Sequence, residues 1–348
     1  MQYQDKKKLA YLAGLSILFG SVELFIPKIL PFFRLGLANI PMLLALDLGF
    51  PSFMVLALLK ALGNSYIAGN IFSFFVLVSI AQSLSSAFIM YLANKTKFFS
   101  RYGISLSGAL VSSIVQLAVA SLYVGNSVFA FLPLMLIISF FSALLVAYLA
   151  SKLDTLKVPD LKHDQKNEKP SAALISMIVL SAIAIMLIDN PLMLLIAFLS
   201  ALILQKSTGR KILILPHLAF FAAMVFCSLI APEGRILLEI GSFKITEGAL
   251  ISGTVKALRL SGTIALSQAY SSFLRPGDNL LGETLRYFTL LFSAFKKSDG
   301  KLEERVLKTL SLETIEDIYA EKKKVPSTAF AVSTIIFISI SILNIVLF

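Results

Sequence analysis

The chain has no tryptophan, one cysteine and two histidines in 348 residues. A lone Cys227 cannot close an internal disulfide, so the fold makes no demand on redox compartment. So few soft ligands also exclude a zinc site built by the protein alone. Charge is scarce: Asp, Glu, Lys and Arg make up 15% of the residues, where a soluble domain carries about 25%. Hydrophobic residues make up 57% and the mean hydropathy is +0.85. Together these values exclude a soluble enzyme, a secreted disulfide scaffold and a disordered chain. Lipid is the expected solvent.

The catalytic signatures are missing as well. The chain has no GxxxxGK[ST] loop to cradle nucleotide phosphates, and no GxSxG, HExxH, CxxC or DDxxD-like cluster. Glu303–Glu304 and Glu316–Asp317 are the only adjacent acidic pairs, and lysines alternate with them as on a solvated helix face. No catalytic residue, metal or cofactor is expected, and the chain reads as a non-enzyme.

What is present is a series of apolar runs of spanning length. The first half reads as six helices near Leu9–Ile26, Gly36–Leu48, Ser52–Ala68, Ile71–Ala93, Ile104–Val124 and Phe129–Ser151. The second is too short for a straight span and reads as broken or re-entrant, which requires its backbone to face protein or a cavity. Residues 152–170 form a polar linker, with His163 a surface residue in it. In the second half, Ser171–Ile188, Pro191–Gln205 and Ile212–Ala231 read as spans, Pro232–Thr246 as a polar loop and Glu247–Leu274 as a long helix. Asp278–Lys324 holds nine acidic and nine basic residues and is expected to be cytosolic or interfacial. Ser327–Phe348 spans again. The fold class is therefore an all-α polytopic membrane protein, with domains at 1–151 and 171–348.

The net charge of +11 sits mostly in short loops. This is the positive-inside pattern of a cytoplasmic-membrane protein rather than a nucleic-acid footprint. Lys6, Lys7 and Lys8 place the N-terminus in the cytosol. Lys95, Lys97, Arg101, Lys152, Lys206, Arg210, Lys211 and the charged stretch 275–325 then fall on the same side, and the C-terminus falls outside. The first apolar run lacks a small-residue cleavage site and reads as an uncleaved span.

Ionisable groups at membrane depth are costly and tend to face a cavity or a partner. Glu23, late in the first span, has Arg34 or Lys28 as candidate partners across the Pro27–Pro31 turn, or else lies at the interface. Arg34 could grip a carboxylate or phosphate. Gly36 permits close backbone approach, and Asn39 offers a donor and an acceptor. Lys60 is expected to pair with Asp47 as a structural contact. Asn64, Asn70, Gln82 and Gln116 either line a polar pocket or hydrogen-bond between helices. Ala10 and Gly14, like Ser16 and Gly20, lie four apart and form a small-residue face for helix docking, either within the bundle or onto the second half. Lys256 and Arg259 share a helix face and meet lipid phosphates if that helix is interfacial. Arg259, Arg275 and Arg286 are the candidate contacts for a coupling partner. Asp189-Asn190-Pro191 reads as a plain turn.

The stretch Arg34-Leu-Gly-Leu-Ala-Asn39, followed by Leu59-Lys60-Ala61-Leu62-Gly63-Asn64, Ala68-Gly69-Asn70 and a helix with Gln82, Ser83, Ser85, Ser86 and Met90, resembles the Gx transporter family. That family is also labelled heptaprenyl diphosphate synthase component I. It looks like the substrate-binding S component of energy-coupling-factor (ECF) transporters, and the likeness covers about residues 9–151. The second half more weakly resembles the T component, through its spans, charged helices and last span, with echoes at Ala257-Leu258-Arg259-Leu260 and Phe273-Leu274-Arg275-Pro276-Gly277. The Ala-Arg-Gly and Ala-Arg-Ser motifs that dock the ATPases in that family are absent. The resemblance implies small-molecule uptake by a fused S-like and T-like unit, with substrate entering near Arg34 and ATP-binding-cassette ATPases as partners. Two alternatives stay open: a membrane scaffold for flavin- or quinone-linked electron transfer, and a non-catalytic component of a prenyl diphosphate synthase.

Overall fold

The computed structural model describes residues 3–23, 36–153, 160–161, 172–210, 212, 214–241, 243–271, 279–300, 305, 308–309, 314–315 and 327–347. The N-terminal half is a helical bundle whose first and third helices run parallel, Lys8 meeting Asp47 at one end and Gly20 meeting Asn64 at the other. Helix α1 (Tyr3–Glu23) packs on α3 (Phe50–Ile67), α3 on α4 (Phe74–Lys95), α4 on α5 (Arg101–Val124), and α5 on α6 (Leu132–Lys152). The second expected helix is broken: a 3₁₀ turn at Leu37–Asn39 leads into α2 (Ile40–Leu44), only one turn long. Gly36 opens that turn at φ 78°, a left-handed conformation open to glycine at no steric cost. Pro41, Pro51 and Pro133 stand in the first turns of α2, α3 and α6, where the missing amide proton costs nothing.

Small residues set the helix spacing. Ser79, Ser83, Ser86 and Ala87 of α4, Ser105 and Ser113 of α5, and Ser139, Ser142 and Ala143 of α6 are buried. Ser113 Oγ and Ser139 Oγ are 2.6 Å apart, and Ser105 Oγ donates to the Ala143 carbonyl at 2.9 Å. Such hydroxyls join helices where lipid gives no hydrophobic drive between them. The outward faces carry large apolar side chains, among them Leu122, Phe141, Leu215 and Ile335.

In the C-terminal half, α7 (Ala172–Met186), α8 (Pro191–Ser207), α9 (Ile214–Ile230), α10 (Glu247–Ser271), α11 (Leu280–Lys297) and α12 (Ser327–Leu347) follow. By length and apolarity, Phe50–Ile67, Phe74–Lys95, Arg101–Val124, Asn126–Lys152, Glu247–Ser271 and Thr328–Val346 can cross a membrane. The chain is an all-α polytopic membrane protein. α12 is held against α7, α8 and α10 by Ser181 Oγ donating to Thr334, by Asn344 accepting the Asn190 amide, and by a Tyr270–Phe330 ring stack at 4.1 Å.

Several expectations are corrected. The stretch read as a polar loop at 232–246 contains an antiparallel hairpin, β2 (Ile236–Ile240) with β3 (Phe243–Thr246), turning at Gly241. Ile236, Ile240, Ile245 and Thr246 are β-branched, the type that strands favour. Two linker residues, Asp160 and Leu161, form a short strand β1 that pairs in parallel with β4 (Thr314–Ile315). Part of the charged stretch is not purely solvated. The amphipathic α11 buries Leu285, Phe288, Leu291 and Phe295 in the same core as α1.

The two halves do not run side by side. Lys256 Nζ donates to the Val124 carbonyl at the end of α5, while Ser267 Oγ accepts the Phe72 amide beside the end of α3. Eleven residues of helix separate Lys256 from Ser267, about 16 Å at 1.5 Å per residue. The ends of α3 and α5 lie at one level, since Phe74 at the start of α4 meets Tyr123, with ring centroids 5.3 Å apart. Helix α10 therefore crosses this end of the bundle. The crossing also places Arg210 beside Gly69, at the end of the bundle opposite the Lys8–Asp47 ion pair. The positive-inside count places Arg210 instead on the side of the N-terminal lysines.

Candidate functional site

A partly open chamber of about 100 Å³ lies in the N-terminal bundle, among α1, α3, α4, α5 and α6. Its walls contain Glu23, Gly36, Asn39, Asn64 and Gln82, five of the seven residues expected to bind substrate. Asn70 lies beyond it and lines a neighbouring space. Arg34, like Lys28, lies outside the described residues.

Two formal charges meet this chamber. Glu23 and Lys60 each keep only 6% of their surface exposed. Lys60 does not pair with Asp47. Its Nζ donates to Asn39 Oδ1 at 2.6 Å, and Asp47 instead takes Lys8 at 2.7 Å. The reason is geometric: Asp47 ends the short α2 stretch at the rim of the bundle, whereas Lys60 lies ten residues into α3 and points inward. Asn64, one turn later, donates to the Lys60 carbonyl at 2.8 Å and packs on Gly20 of α1. A side chain at Gly20 would collide with that amide. Gly20 therefore serves the chamber wall rather than an outside docking face. Gly14, on another face of α1, meets α11, and Ala10 and Ser16 are fully buried.

The remaining lining is short and hydroxylic. Ser105, Ser112 and Ser113 of α5, with Gln116, fall on one helix face, and Ser139 and Ser142 of α6 face them. Sequence reading missed these serines and missed Lys60 as a site residue. The signal was present as a polar stripe at i, i+7, i+8 and i+11 along 105–116. Among the described residues, no aromatic side chain lines the chamber. It offers a cation, an anion, amides and hydroxyls, and so suits a small polar solute with charges of both signs. Among the described residues, no three of His, Cys, Asp and Glu come together as metal ligands.

The candidate coupling residues are dispersed. The Arg259 guanidinium donates to the Ile188 carbonyl at 2.7 Å and to Asp189 at 2.6 Å, tying α10 to the α7–α8 turn. Lys256 is bonded to Val124. Both cations are thus hydrogen-bonded within the protein. Arg286 lies on α11 near Glu283, and Arg275 lies outside the described residues. Burial pushes the Glu283 carboxyl above the usual carboxylate range, and Arg286, Lys7 and Lys6 partly offset this.

Two family models match the chain. One, described as a domain of unknown function, covers residues 172–270, from α7 to the end of α10. No curated protein and no solved structure matches. The other model, described as heptaprenyl diphosphate synthase component I, matches residues 12–153, the stretch that contains all the described walls of the chamber.

Proposed function

We propose that the protein is a membrane transport protein whose N-terminal bundle binds a small polar solute in the Glu23–Lys60 chamber. One observation carries the reading: Glu23 and Lys60, both buried, line one partly open space together with amides and hydroxyls of the helices around it. Purely structural charges need no cavity beside them, and ionisable groups at this depth mark solute paths more often than packing. Lys60 takes the anionic group of the solute, Glu23 takes the cationic group, and the facing serines take its hydroxyls or amides. The basic residues at the starts of α1 and α5 and the ends of α4 and α6 make that end of the bundle cytosolic.

The C-terminal half serves as the membrane scaffold of this unit. Its likeness to an ECF T component rests on architecture, and coupling to ATP-binding-cassette ATPases is part of the same proposal. Thermal unfolding of the purified chain against zwitterions, polyols and organic acids tests the reading. A true ligand at a hundred times its Kd stabilises by about 2.7 kcal/mol, and Lys60→Gln abolishes the gain. If no class of solute stabilises the chain, or if Lys60→Gln responds as the wild type does, the chamber is not a binding site.

A second reading is favoured by the description of the matched family, which names one component of an assembly. In it the chain is a membrane subunit for a partner enzyme. Purification in gentle detergent separates the two. ATP-binding-cassette ATPases in the eluate support transport, whereas a prenyl-transferring or redox enzyme supports the subunit role.

A further inference from the structure

A second space of about 250 Å³ lies where the halves meet, between α4 and α5 on one side and α9 and α10 on the other. Its chemistry is the opposite of the inner chamber's. Four rings, Phe74, Phe75, Tyr123 and Phe220, line it among aliphatic side chains. Its polar groups are His217, Gln268, Asn70, Ser79, the Tyr123 hydroxyl and the two shared glutamines. Asn70 Oδ1 is buried and has no hydrogen-bond donor among the described residues, so it is an acceptor open to a ligand.

The two spaces share a wall. Ala68, Ser79, Gln82 and Gln116 line both. Two of these are small and two are amides, so no bulky apolar barrier separates the spaces. Ligand sites are mostly apolar with a few placed polar groups. The outer space meets that description, and the inner chamber adds the ionisable groups that it lacks. We propose that they are two subsites for one ligand, an amphiphile with its ionised head in the inner chamber and an apolar, ring-bearing body in the outer one. The proposal rests on the reading of the inner chamber as a solute site. It adds that the C-terminal half forms half of the body subsite, through His217, Phe220, Leu260 and Gln268.

The test uses the full chain in phosphatidylcholine nanodiscs, with anilinonaphthalene sulfonate as probe and empty nanodiscs as background. The probe has an anionic head and an aromatic body. It is expected to fill one site per chain, and Ala120→Phe, which fills the outer space alone, is expected to weaken it about tenfold. Lys60→Gln does the same through the head, and methanesulfonate competes. Ile264→Trp is a second filling variant, and melting temperatures certify that each variant is folded.

If both folded filling variants bind the probe as the wild type does while methanesulfonate still displaces it, the two-part ligand is overturned and the inner site survives. If the filling variants weaken binding but Lys60→Gln and methanesulfonate have no effect, the inner-chamber reading fails, and the shared ligand fails with it. Absence of any saturable binding also overturns the proposal. The source of the amphiphile is read with Phe220→Trp, a lone reporter in a chain without tryptophan. Quenching by brominated acyl chains that the probe relieves assigns the outer subsite to a bilayer lipid. Quenching by the probe alone assigns it to a ligand arriving from water. Either result supports an amphiphile.

Discussion

Lys60 Nζ lies 2.6 Å from Asn39 Oδ1, so the ammonium on α3 is aimed by an amide that the Gly36 turn presents. Asn39 thus orients the ammonium toward the chamber that both residues line. A charge-assisted hydrogen bond contributes about 1.5–3 kcal/mol. Lys60→Met is therefore expected to weaken binding of an anionic solute by about 10- to 100-fold, with little loss of melting temperature because a buried charge is removed with its desolvation cost. Asn39→Ala should weaken binding less, as the charge stays but loses its aim. Ligand-induced thermal shifts on the three proteins give the ranking. A Lys60→Met variant that binds normally would remove Lys60 from the site.

At Gly14, α1 passes close to the backbone of α11. A Cβ there would stand 2.8 Å from Tyr287 Cβ and 2.9 Å from the Thr284 carbonyl oxygen. Gly14→Leu is expected to force the helices apart at a cost of about 1–3 kcal/mol. The Tyr11 and Tyr287 rings, 5.5 Å apart, supply the readout. Cysteines at these positions in a Cys227→Ser background should cross-link with a short reagent, and Gly14→Leu should abolish the cross-link. Persistence of the cross-link would mean that the helices accommodate the side chain.

Arg259 divides its guanidinium between a backbone carbonyl and a carboxylate that is 86% exposed. An ion pair with so exposed a partner is worth less than about 1 kcal/mol. Asp189→Ala should hardly change the melting temperature, whereas Arg259→Ala, which also strips the Ile188 carbonyl of its donor, should lower it clearly. Equal effects of the two substitutions would place the stabilisation in the ion pair instead.

Glu283 makes a pH-dependent contribution. Its carboxyl titrates above the usual range because burial outweighs the attraction of Arg286, Lys7 and Lys6. The folded state then holds the proton more tightly than the unfolded state. The stability it contributes is full below the ordinary carboxylate range and is lost as pH rises through the raised value. Glu283→Gln is expected to melt higher than the wild type at pH 7, with the gap closing as pH falls towards 4. A gap that widens in acid would mean that the three cations dominate.

Much of this could be read from the sequence. Apolar runs and basic ends predicted α3 to α6 and α12 to within a few residues, and the motif at 34–39 led to chamber residues. Other features could not be read because they depend on helix rotation and on contacts between distant segments. Asp47 and Asn39 are both credible partners for Lys60 by charge or hydrogen bonding, and only the turn at Gly36 decides between them. The facing serines of α5 and α6 look like ordinary helix-packing residues until the helices are placed. Arg259 and Asp189 are seventy residues apart, and no local pattern joins them. The crossing of α10 is invisible to a count of charges, which assumes parallel spans.

The contact between α1 and α11 also bears on how the chain is made. α1 is translated early, whereas Thr284 and Tyr287, which close over Gly14, follow some 270 residues later. For most of synthesis the Tyr11–Gly14 face has no native cover. The amino-terminal bundle thus enters the bilayer with an open seam, and the strand of protein that seals it is the same one that leads into the final span. Biogenesis of the two halves is coupled, and a chain cut at the linker would carry that open seam permanently.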